Sequence, residues 1–405
     1  MQHVVWIPGN EREWALPPAL ATDHGWLGGG RRTMHELAVA LACGGHAVEM
    51  RGEVDADVLG ELSTAAGATP ELPGRSRELT ADDVVFVYEG VEDPLVYAHL
   101  ALSPARVVLM VLAPPGLCGW PFAAGWSVPD HLSVDPVSVA RPEHFEAAAA
   151  LGFELWTNAP GLQRASSVPC RYVGRGLPMP FPDPPAEKDI DVVVLENNRW
   201  APLAARVAEE LGTRAVVAPL SGNRELIDLF GRARVFVHPM RVEGNSRLST
   251  EARAMGAVPV VLATNPYGVN TATVAAPSVE QMAGTVERLL ADPARLRELS
   301  AEGIAFAREE VAWEPYVERV TRTLAAGGTD VARPARAAMG AALRAAEQQR
   351  LAAVERELDH HRGWLETTNG SLSWRLTAPL RAAKRRVRQR VSGRPGDRPL
   401  RQTPP

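Results

Sequence analysis

Lysine is almost missing from this chain. Of 43 basic residues only Lys188 and Lys384 are lysines, so any cationic chemistry falls to arginine. Cysteine is scarce as well: Cys43, Cys118 and Cys170 are widely spaced and form no C-x-x-C pair. Such a trio excludes a disulfide framework, argues against structural zinc and predicts a reducing compartment. Long apolar runs are lacking too. The longest, residues 107–122, is broken by Pro114, Pro115 and several glycines, short of the roughly 20 residues a spanning helix needs. The opening MQHVVWIPGNERE has no basic segment followed by an apolar one, so it is not read as a signal peptide and a cytoplasmic chain is expected.

What is present is an ordinary globular composition. Apolar residues make up 46% and charged residues 22% of 405, which disfavours disordered and collagen-like classes and predicts two domains with a remainder. The net charge of -5 conceals an uneven distribution. Residues 371–405 hold ten basic residues and one acidic, a local charge of +9 that leaves -14 on the rest.

Short β-branched runs alternate with helical patterns, as a parallel α/β sheet requires. Strands are predicted at 4–7, 47–51, 84–88, 107–112 and 154–157, with an amphipathic helix at 32–43. The connector GLPMPFPDPP then places five prolines within eight residues (178–185) and marks a domain boundary. Beyond it the alternation resumes: strands at 191–195, 215–218, 235–238 and 258–262, helices at 202–211, 224–231 and 248–255. Further helices are expected at 279–290, 294–307 and 315–324. Residues 335–364, rich in Ala, Glu and Arg without proline, read as a helix by propensity. The predicted domains are 1–178 and 179–326, followed by a helical segment and basic tail at 327–405.

The densest signal is HPMRVEGNSRLSTEARAMGAVPVVLA, residues 238–263. A strand ends at His238, a loop carries Glu243, Gly244, Asn245 and Ser246, and a helix follows with Glu251. Open α/β sheets bind ligands at the carboxyl ends of their strands, and a helix N-terminus there offers free N–H groups to an anion such as a diphosphate. Two carboxylates eight positions apart suit paired sugar hydroxyls. A capping arrangement, with Ser246 or Ser249 as N-cap and acidic residues complementing the helix dipole, accounts for the same spacing equally well.

The run E-G-N-S-R-L-S-T-E, followed by A-R-A-M-G-A-V-P-V-V, resembles the E-x7-E signature of retaining GT-B glycosyltransferases. This is the large family of group 1 (family 4-like) enzymes that includes sucrose synthase-like and mannosyltransferase members. Gly28 and Gly29, then Ala38, then Gly45-His46-Ala47-Val48 are similar to that family's glycine pair, first helix and GHxV strand start. EVAWEPYVERV resembles its last helix, which crosses back onto the N-terminal domain. The resemblance covers roughly residues 1–326. It implies an α/β fold of two Rossmann-like (GT-B) domains, the first for acceptor and the second for a nucleotide sugar. It further implies that Glu251 accepts ribose hydroxyls, that Glu243 is the catalytic-site glutamate holding the donor sugar, and that the amides of Gly244, Asn245 and Ser246 approach the diphosphate or the sugar. Gly28 and Gly29 join the substrate-binding set. In this family the donor β-phosphate is thought to help take the acceptor proton, so no metal and no resident cofactor are expected. The protein's part is then positioning and electrostatic stabilisation of the leaving diphosphate.

The chain departs from the family pattern in three places. Ser246 and Arg247 stand where a glycine and a leucine are usual. The usual lysine clamp is absent, because Lys188 precedes its strand and so belongs to the wrong end of the sheet. Arg199 and Arg247 are the candidates to replace it, as bidentate guanidinium groups or as plain solvated arginines. A histidine expected after an N-domain strand also has no obvious equivalent, and neither His99 nor His131 fits.

In the tail, Trp374, Leu376 and Leu380 stand among arginines, a mixture suited to an anionic membrane surface, where each basic residue contributes about 1 kcal/mol. "SWRLTAPLR" resembles the ends of bacterial surface-polysaccharide glycosyltransferases; a bland solubilising tail is the plain alternative. Nucleic acid is not expected as a partner. The expected function is a retaining hexosyltransferase of surface polysaccharide synthesis. Its partners would be a nucleotide sugar and a glycan or lipid-linked acceptor, and it would sit in the cytoplasm, peripheral at the inner face of the plasma membrane. The rival is a catalytically weak nucleotide-sugar-binding or scaffold protein acting through its tail. A sugar-nucleotide epimerase would need an acid/base pair the sequence does not display.

Overall fold

The computed structural model describes residues 2–7, 29–52, 54–72, 77–89, 94–114, 140–177, 182–185, 187–196, 201–219, 223–265 and 268–327, with single helical positions between 345 and 362. Gly28, His131, Arg199 and the tail 371–405 lie outside the described residues. The chain divides into two compact units, residues 1–346 and 347–405, and both sheets belong to the first.

The first half alternates as read. Strands β1 (Gln2–Ile7), β2 (Ala47–Gly52), β3 (Val84–Tyr88), β4 (Arg106–Val111), β5 (Glu154–Thr157) and β6 (Cys170–Tyr172) are interleaved with α1 (Gly29–Cys43), α2 (Ala56–Ala66), α3 (Pro94–Leu102), α4 (Pro142–Ala150) and α5 (Pro160–Ala165). They form a six-stranded parallel sheet in the order β2-β1-β3-β4-β5-β6. Every residue of β3 and β5 is buried, as expected for strands covered by helices on both faces. Phe86 and Trp156 meet edge to face at 5.4 Å in this core.

The second half repeats the plan with β7 (Ile190–Leu195), α6 (Ala201–Leu211), β8 (Ala215–Ala218), α7 (Asn223–Arg232), β9 (Ala233–Val237), α8 (Arg247–Ala254), β10 (Val258–Leu262) and β11 (Val274–Ala276). Its parallel order is β11-β10-β9-β7-β8. Helices α9 (Met282–Leu290), α10 (Pro293–Phe306) and α11 (Trp313–Ala325) complete it. Gly256, at φ 69°, takes the left-handed position that ends α8 and turns the chain into β10.

α11 is an exception to sequence order. Trp313, Tyr316, Val320 and Leu324 are buried in the core of the first sheet, so the last helix closes back over the first domain. A bridge between Leu177 and Ala312 brings the start of the proline-rich connector beside this return. In both sheets the strand order reverses at the first strand, between β1 and β3 and between β7 and β9. A crevice at the carboxyl ends is the binding place that such a reversal creates. Among the described residues no helix is long and apolar enough to cross a membrane.

Candidate functional site

The site grows from the carboxyl end of β9. Past it, residues 238–246 form a loop that α8 ends, and Ser246 is the N-cap: its hydroxyl accepts the Ser249 N–H at 3.4 Å. The capping arrangement left open by the sequence is therefore present. The same Ser246 oxygen lies 3.3 Å from His238 Nδ1, which is also 3.3 Å from the Ser249 hydroxyl. His238 Nε2 in turn lies 3.6 Å from Glu243 Oε2. One buried histidine thus joins the cap to the first glutamate of the motif.

The loop packs against the carboxyl end of the first sheet. Asn245 Nδ2 donates to the Asn158 carbonyl, just past β5, at 3.0 Å. A Cβ at Gly244 would land on the carbonyl oxygen of Leu112, just past β4, and backbone cannot yield there. Glycine is required at 244 because the two domains touch at that point. Asn265, past β10, holds the Glu243 carbonyl at 3.3 Å and leaves its own Oδ1 buried without a partner. Both side-chain polar atoms of the fully buried Asn158 are likewise unpartnered.

Electrostatics centre on Arg247, the first residue of α8. Its Nε donates to Glu251 Oε1 at 2.6 Å, and its Nη1 is ion-paired with Glu36 of α1, across the domain boundary. Glu36 and Glu251 are 0% and 1% exposed. Burial by itself would lower the Arg247 pKa; the two carboxylates more than offset it and hold it above the ordinary value. Arg32, 3.7 Å from Glu36, and Arg175 complete a buried charged cluster on the first-domain side.

Glu89 lies just past β3, at the strand-order reversal of the first sheet. Its Oε1 accepts the Ala113 N–H at 2.7 Å, while Oε2 is buried without a partner among the described residues. Burial raises its pKa to about 7, against the pull of the backbone N–H groups around it.

The structure brings Glu243, Gly244, Asn245, Ser246, Arg247 and Glu251 to the facing carboxyl ends of the two sheets. Gly29 opens α1 on the first-domain side. Lys188 lies at the opposite, amino end of β7, where its Nζ donates to backbone carbonyls. Glu36, Glu89, Arg175 and His238 belong to the site although sequence reasoning did not nominate them. A lone charged residue in a helix or connector carries no local signal of burial. Only the spacing of Arg32 and Glu36, four apart on one helix face, could have hinted at a pair. Among the described residues no group of three or more His, Cys, Asp or Glu is placed to hold a metal ion.

No protein-family model matches the chain. In sequence it is 28% identical over 152 residues to a GDP-mannose-dependent monoacylated alpha-(1-6)-phosphatidylinositol monomannoside mannosyltransferase of Corynebacterium glutamicum. That match covers 34% of this chain and 40% of the relative. In structure it overlays Anabaena HepE, solved in complex with UDP and glucose, with a TM-score of 0.54 at 10% identity, over 81% of this chain and 100% of that one. Sucrose-phosphate synthase from Thermosynechococcus elongatus overlays with a TM-score of 0.52 at 14% identity, over 80% and 100%. Two doubly wound parallel sheets meeting at their carboxyl ends, a last helix returned to the first core and these overlays together establish that the chain has the GT-B fold.

Proposed function

We propose that the protein is a retaining glycosyltransferase that moves a hexosyl group from a nucleotide sugar to a glycan or lipid-linked acceptor. The observation that carries this reading is the placement of Glu243 and Glu251 on a loop and the helix it leads into, which pack against the carboxyl end of the first sheet. Glu251 would hold the ribose, Glu243 the donor sugar, and the helix-end amides the diphosphate. The UDP-bound HepE structures and the mannosyltransferase likeness support a nucleotide-sugar donor. In this reading no metal and no resident cofactor take part. The basic segment 371–405 would hold the protein at an anionic membrane carrying the acceptor, in surface polysaccharide synthesis.

A thermal-shift panel of UDP-, GDP-, ADP- and TDP-sugars tests the reading, since a ligand that binds only the folded state raises the melting temperature. One member is expected to raise it, and Glu251→Ala should weaken that ligand roughly tenfold or more by calorimetry. A flat panel, or unchanged affinity in the variant, would sink the donor assignment.

A second reading, a nucleotide-sugar-binding protein without turnover, draws on one feature. Arg247, itself ion-paired with Glu36, already engages the carboxylate assigned to the ribose. Transfer or donor hydrolysis above background removes this reading.

A further inference from the structure

Three arginines gather where the two sheets meet: Arg32 on α1, Arg175 just past β6 and Arg247 opening α8. Arg247 is neutralised by Glu36 and Glu251, and Arg32 lies 3.7 Å from Glu36 and 3.8 Å from Glu61. Arg175 has no ion-pair partner among the described residues, although it is only 5% exposed. Its Nη2 donates to the Thr33 hydroxyl at 3.3 Å, while Nε and Nη1 are buried without any acceptor among the described residues. Burial pushes its pKa down, and the Glu36 carboxylate opposes that; an arginine stays charged all the same.

Arg253, two positions past Glu251, is the internal contrast. It is 1% exposed, yet its three nitrogens reach Ser249 O at 3.1 Å, Thr271 O at 3.0 Å and Thr250 Oγ1 at 3.2 Å. That guanidinium is closed by protein. The Arg175 guanidinium is open, and a buried cation with idle donors destabilises a fold unless something else completes it.

We propose that Arg175 is an anion-binding residue that takes a phosphoryl oxygen when a phosphorylated ligand enters between the sheets. The identity of that ligand rests on the glycosyltransferase reading. Two features select a phosphoryl compound bearing hydroxyls over a simple anion. Guanidinium donors match phosphate oxygens, and a phosphoryl group carries enough charge to engage Arg175 and to compete for Arg247 beside its two carboxylates. Glu36 Oε2, buried without a hydrogen-bond partner among the described residues, is an acceptor for a hydroxyl of the same ligand. The phosphoryl group belongs either to the diphosphate of the donor or to a phosphorylated acceptor.

The test uses the full chain and titrates inorganic pyrophosphate, inorganic phosphate and a panel of UDP, GDP, ADP and TDP by calorimetry. Wild type is compared with Arg175→Met, which removes the charge at similar length, and Arg175→Lys, which keeps it. Arg175→Met is expected to weaken pyrophosphate roughly ten- to hundredfold, and to melt no lower than wild type without ligand, because an open buried charge has gone. Arg175→Lys should retain part of the affinity and serves if the methionine variant does not fold. Where a nucleoside diphosphate displaces pyrophosphate and itself depends on Arg175, the source is the donor. Where inorganic phosphate binds the nucleotide-saturated protein and depends on Arg175, the source is the acceptor. Equal affinities in wild type and Arg175→Met for every probe overturn the proposal. Should none of the nucleotides bind while pyrophosphate still depends on Arg175, the donor reading fails and the anion site stands.

Discussion

The two ends of the second sheet treat buried charge in opposite ways. At the amino end, Lys188 Nζ donates to the carbonyls of Ala233 at 2.8 Å, Met255 at 2.9 Å and Gly231 at 3.1 Å, with Phe230 at 3.5 Å. Burial lowers its pKa to about 8, so the ammonium persists at neutral pH. These acceptors come from the end of α7, the start of β9 and the end of α8, so one side chain ties three segments behind the motif helix. At the carboxyl end, Glu243 Oε2 and Asn265 Oδ1 are buried with no hydrogen bond. The difference teaches which polar groups are scaffolding. Where backbone closes every valence nothing remains for a ligand, whereas these two unfinished valences of the second domain lie at the carboxyl end of its sheet.

The comparison can be broken from several sides. The largest effect is expected for Glu36→Gln, which leaves Arg247 without its cross-domain carboxylate and should cost about 3–5 kcal/mol in urea unfolding; adding Arg247→Met should recover part of it. Glu89→Gln sharpens the contrast through pH. With a folded pKa of about 7 against an ordinary 4.5, the native carboxyl keeps its proton after the unfolded chain has lost it. Stability therefore falls as pH rises from 4.5 to 7, by on the order of 3 kcal/mol. The glutamine variant should lack that decline and be the more stable protein above pH 7. Lys188→Met should cost about 2 kcal/mol by leaving buried carbonyls without a donor, yet leave affinity for the proposed nucleotide-sugar donor unchanged; a lost affinity would erase the distinction between the ends. Ser246→Ala, which removes the cap of α8, should cost about 1 kcal/mol in a thermal melt.

Much of the fold was legible in β-branched runs. Residues 84–88 and 258–262 read as strands, and the structure buries every residue of both. The helices Pro142–Ala150 and Pro160–Ala165 went unread because proline breaks helices in the interior, yet here it occupies the first turn, where its missing N–H costs nothing. The three-residue strands β6 and β11 are too short for any periodicity. In the site, the loop and helix at 243–251 stood out because loop, cap and carboxylates are contiguous. Gly244 was read for its amide alone; its need to pass under the Leu112 carbonyl belongs to a contact 132 positions away in the chain.

By itself the sequence determined the α/β alternation, the connector between the halves, the motif at the end of β9 and the near-exclusive use of arginine as cation. The alternation and the connector follow from local steric preference and the arginine usage from composition, while the motif stood out by its resemblance to a known family. Only the tertiary structure decided which arginines are neutralised and which are open. Arg247 meets Glu36 across 211 positions, while Arg175 reaches Thr33 but no carboxylate. Pairing depends on distances of a few ångströms between residues remote in sequence, and Coulomb interactions register that separation alone.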